Sequence, residues 1–195
     1  MSTTRSYESP LRAEQLEQTR LRILEATADV LADEEVEEVT VPVVAMRARV
    51  SVRTVYRHFP TKETLVEALA ADHFERLADI AEAALGEEGE PWAIFSSVIW
   101  RSANAASGDI SWCEIIGGHP SAAQAAARGK LRLATAMTTL ISRAQATGAM
   151  RADATVEDVR TIMCGFGHVA AAQRAGAGLD WERYLEIALD GLRTR

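Results

Sequence analysis

The sequence predicts an all-α chain. Apolar residues recur every three to four positions along most of its 195 residues. Ser, Thr, Asp and Pro stand where helices would open and Gly where they would close, and no alternating strand pair is evident. About nine helices are expected, and 195 residues suit one large domain or a small domain fused to a larger one.

Residues 1–12 are polar and without pattern, and are read as a mobile tail. A first helix is expected over Glu14–Asp33, with Leu16, Ile23, Leu24, Thr27, Val30 and Leu31 on one stripe. An acidic cluster follows: Asp33, Glu34, Glu35, Glu37 and Glu38. Thr40 suits an N-cap, with Pro42 in the first turn that it opens. The run "VPVV" has strand-like propensity, but Pro near its start and its spacing to the next element favour a short helix. Ser51 caps another short helix through His58, Pro60 stops it, and Thr61 caps the next, with Glu63 placed near the positive N-terminus.

"LGEEGEP" (85–91) reads as a connection, with Pro91 opening a helix that carries Trp92, Phe95, Ile99 and Trp100. Gly108 closes it and Asp109 caps a short one through Cys113 and Ile116. "GGHP" is a break. Ser121 with Gln124 forms a capping box for a long helix to about Thr147, stopped by Gly148. Thr155 with Asp158 repeats the device for a helix to about Ala175. Asp180 caps the last, where Trp181, Tyr184, Leu185, Ala188, Leu189 and Leu192 keep the helical period.

Composition bounds the class. A hydrophobic content of 48 % with 25 % charged residues is that of a globular protein. No apolar run approaches the roughly 20 residues of a membrane span, and the polar start carries no apolar signal segment. Cys113 and Cys164 sit in apolar helical sequence and are read as small buried hydrophobes, not a disulfide framework. A reduced, cytoplasmic protein without membrane or cofactor is the expectation. The net charge of −7 and pI near 5.2 argue, as global figures, against a nucleic-acid partner.

The local distribution says otherwise. From Thr40 to Lys62 the chain carries Arg47, Arg49, Arg53, Arg57 and Lys62 and no acid, directly after six acids without a cation in 29–38. Segregated charge sets local potential more than net charge does. From Ser51, the residues Val52, Val55 and Phe59 fall at i, i+3 and i+7 and can pack inward, leaving Arg53, Thr54, Tyr56 and Arg57 largely on other faces. A short helix, a tight turn at Ala48-Arg49-Val50 and a cationic second helix make a helix-turn-helix, whose second helix fits a major groove about 12 Å wide.

The segment Arg22–Leu69, with the pairs Ile23-Leu24 and Val30-Leu31, Thr40, "VS", "TVYRHF" and "TKETL", resembles the DNA-binding domain of the TetR family of transcriptional regulators. "LDWERYLEIALDGLRTR" resembles the closing helix of many such chains. The resemblance implies a three-helix DNA-binding domain over 13–62 and a larger helical effector-binding, dimerising domain over 63–195. It implies a homodimeric, ligand-responsive repressor on a pseudo-palindromic double-stranded operator, and no enzyme. By the same resemblance Thr40 faces phosphate at a helix N-terminus and Ser51 caps the recognition helix. Val52, Arg53, Thr54 and Arg57 meet base edges or nearby phosphates, while Tyr56, His58 and Lys62 contact the backbone. An Arg53 bidentate to guanine contributes about 1–3 kcal/mol of discrimination. Arg49 occupies a turn position where the family usually has Gly, and Glu35 one where Gly often ends the first helix; Arg49 either perturbs the turn or adds a phosphate contact.

In the C-terminal part, Trp100, Trp112, Cys113, Met137, Ile141, Met163, Phe166 and His168 are candidates to line an apolar pocket for an unidentified small-molecule effector, each equally at home in a plain core. The last two helices are the dimerisation candidates. "CGFGHVAAAQRAGAG" is rich in small residues that permit close approach, and the final helix has a broad apolar face; the same faces can instead close a monomer core. Other functions find less support. Cys164 and His168 share a helix face at i, i+4, but no further ligands have matching spacing for a metal. No phosphate loop, nucleophile elbow or HExxH motif is present. A helical module binding an acidic protein is the remaining alternative, separable from a regulator by salt-dependent, sequence-specific DNA binding.

Overall fold

A computed structural model describes residues 10–33, 39–105 and 112–194. Among these residues are ten helices: α1 (Pro10–Asp33), α2 (Val41–Arg47), α3 (Val52–His58), α4 (Lys62–Ala84), α5 (Pro91–Ala105), α6 (Trp112–Gly118), α7 (Pro120–Ala125), α8 (Ala127–Ala146), α9 (Val156–Arg174) and α10 (Trp181–Leu192). The chain divides into two compact units, Met1–Leu65 and Val66–Arg195. The acidic cluster Glu34, Glu35, Glu37, Glu38 and the expected helix signals Gly108 and Asp109 lie outside the described residues.

In the first unit α1 starts at Pro10, so residues 10–12, read as tail, are helical. Its buried stripe is Ile23, Leu24, Thr27, Val30 and Leu31. The Thr27 hydroxyl donates to the Ile23 carbonyl at 2.7 Å, which satisfies a buried polar group within the helix itself. Thr40 is the N-cap of α2 in position and extended backbone, but its side chain makes no cap hydrogen bond. The strand-like "VPVV" is helical, with Val41 and Val44 buried: packing of an apolar face overrides propensity in so short a segment.

The second unit is built on a core of Phe95, Val98 and Ile99 from α5, Met137, Leu140 and Ile141 from α8, Phe166 from α9 and Leu185, Leu189 and Leu192 from α10. Gly129 brings α8 against α4: a Cβ at that position would stand 2.7 Å from the Glu75 nitrogen and from the Phe74 carbonyl carbon. One turn on, Arg132 of α8 reaches Glu75, Asp79 (2.7 Å) and Glu82 (3.0 and 2.5 Å) along α4. Its hydrogen bonds to Glu82, Asp79 and Glu75 raise the guanidinium's pKa further, and the Arg132 bond holds the Glu82 carboxyl below its usual range.

Thr155 and Asp158 form the expected capping box at α9, and Asp180 caps α10 through the Arg183 amide at 3.0 Å. Gly148, at φ 73°, ends the turn after α8. Two expectations fail here. Ser121 is no N-cap: Pro120, whose fixed φ suits the first helical position, opens α7 one residue earlier with His119 as N-cap, and the helix breaks at Ala126 before α8. The single long helix is therefore two. The cysteines are not separate hydrophobes either; Cys113 of α6 and Cys164 of α9 form a disulfide, Cα–Cα 5.7 Å apart. Apolar surroundings and a separation of 51 residues gave no hint that α6 folds back onto α9.

Candidate nucleic-acid interface and ligand cavity

The turn between α2 and α3 is made by an arginine in a glycine's conformation. Arg49 has φ 54°, in the left-handed region. Its amide donates to Met46 (3.2 Å) and the Val50 amide to Ala45 (3.0 Å), the two bonds of a Schellman ending. The turn is thus intact without Gly, and the Arg49 side chain is exposed.

Ser51 then starts α3. Its Oγ accepts from the Thr54 amide at 3.0 Å and shares a hydrogen bond with the Thr54 hydroxyl at 2.8 Å. Val55 and Phe59 are buried, the latter with the Arg20 guanidinium 5.8 Å over its ring. Val52, expected on that inward stripe, is instead 38 % exposed, because the first turn of α3 projects beyond the packed face. Arg53, Tyr56 and Arg57 are exposed beside it, and Arg49, Arg53 and Arg57 make no salt bridge among the described residues. Arg47 stands 3.9 Å from Asp29 of α1. His58 is half-buried with its Nε2 enclosed and unpaired; burial, then Arg57 and Arg20, lowers its pKa. Thr40 and Thr61 mark the neighbouring helix starts, Thr40 exposed and Thr61 accepting from the Thr64 amide at 3.2 Å beside Lys62.

The second unit holds a cavity of about 530 Å³ between α4, α5, α6, α8 and α9. Its walls are mainly apolar, among them Phe74 and Leu77 of α4, Ile99 of α5, Leu133 and Met137 of α8 and Met163 of α9. Two buried polar side chains interrupt them: His73, 4 % exposed, and Ser102, 6 % exposed. The His73 ring is stacked on Trp112, and burial, reinforced by Arg76, lowers its pKa to about 3. Lys130, Glu157 and Arg160 contribute the charges. A second concavity of about 620 Å³, around Gly148, Arg151, Asp153 and Arg193, is lined mostly by exposed residues and lacks an apolar interior; only the first has the form of a ligand site.

Comparison with known proteins reads both units. Residues 23–69 match the family model of bacterial regulatory proteins of the tetR family, and residues 113–194 match the SbtR-like transcriptional regulator C-terminal domain. The crystal structure of a TetR transcription regulatory protein from Mycobacterium vanbaalenii is 30 % identical, covers 95 % of this chain and all of that one, and superposes with a TM-score of 0.65. The chain belongs to the TetR family.

Other relatives agree. The TetR regulator SCO0520 from Streptomyces coelicolor is 28 % identical over 89 % of this chain and 98 % of its own, with a TM-score of 0.62. The HTH-type transcriptional repressor KstR of Mycolicibacterium smegmatis is 36 % identical over 85 residues, 44 % of this chain and 42 % of KstR, so the match spans less than half of that relative. The chain is a TetR-family transcriptional regulator with a helix-turn-helix DNA-binding domain. No helix among the described residues is long and apolar enough to cross a membrane.

Against the residues singled out for a TetR-type pocket, Trp112, Cys113, Met137, Met163 and Phe166 line the cavity. Trp100 packs instead near Trp181, their ring centroids 6.0 Å apart; Ile141 is core, and His168 is exposed on α9. Cys164 is committed to its disulfide, so it offers His168 no thiolate for a shared metal. His73 and Ser102 were missed. The signal for His73 was present: it interrupts an apolar α4 series, Leu65, Leu69, His73, Leu77, at i, i+4 spacing, where a polar residue has to be accounted for.

Proposed function

We propose that this regulator is a ligand-responsive repressor that binds a pseudo-palindromic operator as a homodimer in the cytoplasm. One observation carries the DNA reading: α3 presents Val52, Arg53, Tyr56 and Arg57 outward, with no acid on the helix and no salt bridge holding Arg53 or Arg57 among the described residues. Exposed side chains at that spacing suit base edges and the flanking phosphates; Arg49 and half-buried Lys62 add positive potential, with Thr40 exposed at the neighbouring helix start. Ser51 caps the helix and Thr54 braces the cap.

The largely apolar cavity supports ligand response. Ligand shifts the regulator only through different affinities for the DNA-competent and incompetent states. For the dimer, α9 and α10 pack closely: Gly165 leaves room for the Tyr184 hydroxyl, which donates to the Ile162 carbonyl at 3.1 Å. Their outer face keeps Ile187 58 % exposed, and two such helix pairs make a four-helix interface. Two reading heads about 34–36 Å apart would meet successive major grooves.

The test is selection of genomic DNA fragments by the purified protein at moderate salt, followed by sequencing. One enriched pseudo-palindrome, lost in the Arg53→Ala/Tyr56→Ala variant, is the expected result. No enrichment, or enrichment indifferent to that variant, overturns the reading.

A further inference from the structure

The cavity has the composition of a site, and its polar groups define what it takes. His73 and Ser102 are each more than nine-tenths buried, line the cavity and make no hydrogen bond among the described residues. The Trp112 indole N–H, on the same lining, is also buried without a partner. Native interiors rarely leave such groups unmatched, since each then carries its desolvation cost without a compensating bond. Something else completes them.

The charges narrow its chemistry. All three charged lining residues lie outside the buried set: Lys130 stands over the Phe74 ring at 5.9 Å, and Glu157 and Arg160 neutralise one another at 2.5 Å. Half-buried Lys130 remains the one uncompensated charge on the lining; the buried side chains themselves carry none, so an ionised group placed among them would go unpaired. A neutral imidazole can both donate and accept. We propose that the cavity binds an uncharged, largely apolar molecule carrying a hydroxyl or carbonyl group, and that this group hydrogen-bonds to His73, with Ser102 the second polar contact. This rests on the ligand-responsive reading for its regulatory meaning, though not for the binding itself.

Calorimetry on the full chain with naphthalene, 2-naphthol and 2-naphthoate at pH 7.5 tests it. The naphthol is expected to bind roughly tenfold more tightly than naphthalene, the yield of one good buried hydrogen bond, and more tightly than naphthoate. His73→Phe keeps a ring against Trp112 and removes both nitrogens; it should erase the naphthol advantage while retaining naphthalene. His73→Leu provides the same comparison if the Phe variant does not fold. Preferred naphthoate binding, absence of binding by all three probes, or an advantage untouched by both variants overturns the proposal. Operator occupancy measured with saturating naphthol separates the two claims: binding as expected with no change in occupancy leaves the site assignment standing and removes the ligand-responsive reading for this ligand class.

Discussion

The His73 imidazole lies flat on the Trp112 indole, ring centroids 3.9 Å apart and planes 10° from parallel. One ring comes from the middle of α4 and the other from the start of α6. The stack closes a wall of the cavity with an uncharged aromatic pair.

That pair makes the second unit acid-sensitive. The buried His73 titrates at about 3 against an ordinary value of 6.5, so between these values the unfolded chain holds a proton that the native one does not. Stability contributed by the neutral ring is complete above pH 6.5 and is lost as pH falls below it. About 2 kcal/mol should disappear between pH 8 and pH 5. Urea titrations at both values, on the native chain and His73→Gln, measure it: the variant should show a correspondingly smaller difference, and an equal one contradicts the assignment.

Arg49 holds a left-handed conformation that disfavours any residue with a Cβ. Arg49→Gly removes a backbone strain of about 1–2 kcal/mol but gives more freedom to the unfolded chain. A net stabilisation of roughly 0.5–1 kcal/mol is expected from chemical denaturation. If the arginine also meets a phosphate, the slope of log K against log salt for operator binding falls by about 0.9. Greater stability with weaker DNA binding in one variant would separate the two roles of this side chain.

Gly129 lets α8 lie on the α4 backbone, so Gly129→Ala would press on the Glu75 and Phe74 backbone and on the Phe74 Cβ. Overpacking of this kind costs about 1–3 kcal/mol. Because the strained contact falls at Phe74 and Glu75, beside the cavity wall and the Arg132 cluster, probe binding should weaken together with the melting temperature. Loss of one without the other would show that the close approach does not shape the cavity.

How far these features were legible in the sequence depends on whether their cause is local. Ser51, Thr155 and Asp180 announced their helices because a cap is decided within three residues. The exposure of Arg53, Tyr56 and Arg57 on α3 followed from charge and helical spacing within one short segment. The cavity did not, since its walls come from helices far apart in the chain, and Trp100 and Ile141 are chemically indistinguishable from residues that line it. Pro120 against Ser121 shows a local contest misjudged: both are helix openers, and the ring one residue earlier prevailed.

Opening the disulfide should cost the fold substantially. Closing a loop of 51 residues restricts the unfolded chain by an amount that corresponds to about 4 kcal/mol in the entropic account. Cys113 is exposed on α6, within reach of a dithiol reductant. A lower melting temperature in dithiothreitol, reproduced without reductant by the Cys113→Ser/Cys164→Ser variant, is the expected outcome; identical melting in all three conditions would remove the bridge from the energetics.

The same bridge turns residues 113–164 into a covalent ring that holds α7, α8 and much of α6 and α9, and leaves α10 outside it. A single backbone cut inside that ring divides the chain without releasing a fragment. Arg151, exposed in the connection between α8 and α9, is such a site for trypsin. A molecule nicked there would run at full size on a gel until it is reduced, with its severed halves still tied together across the cavity wall.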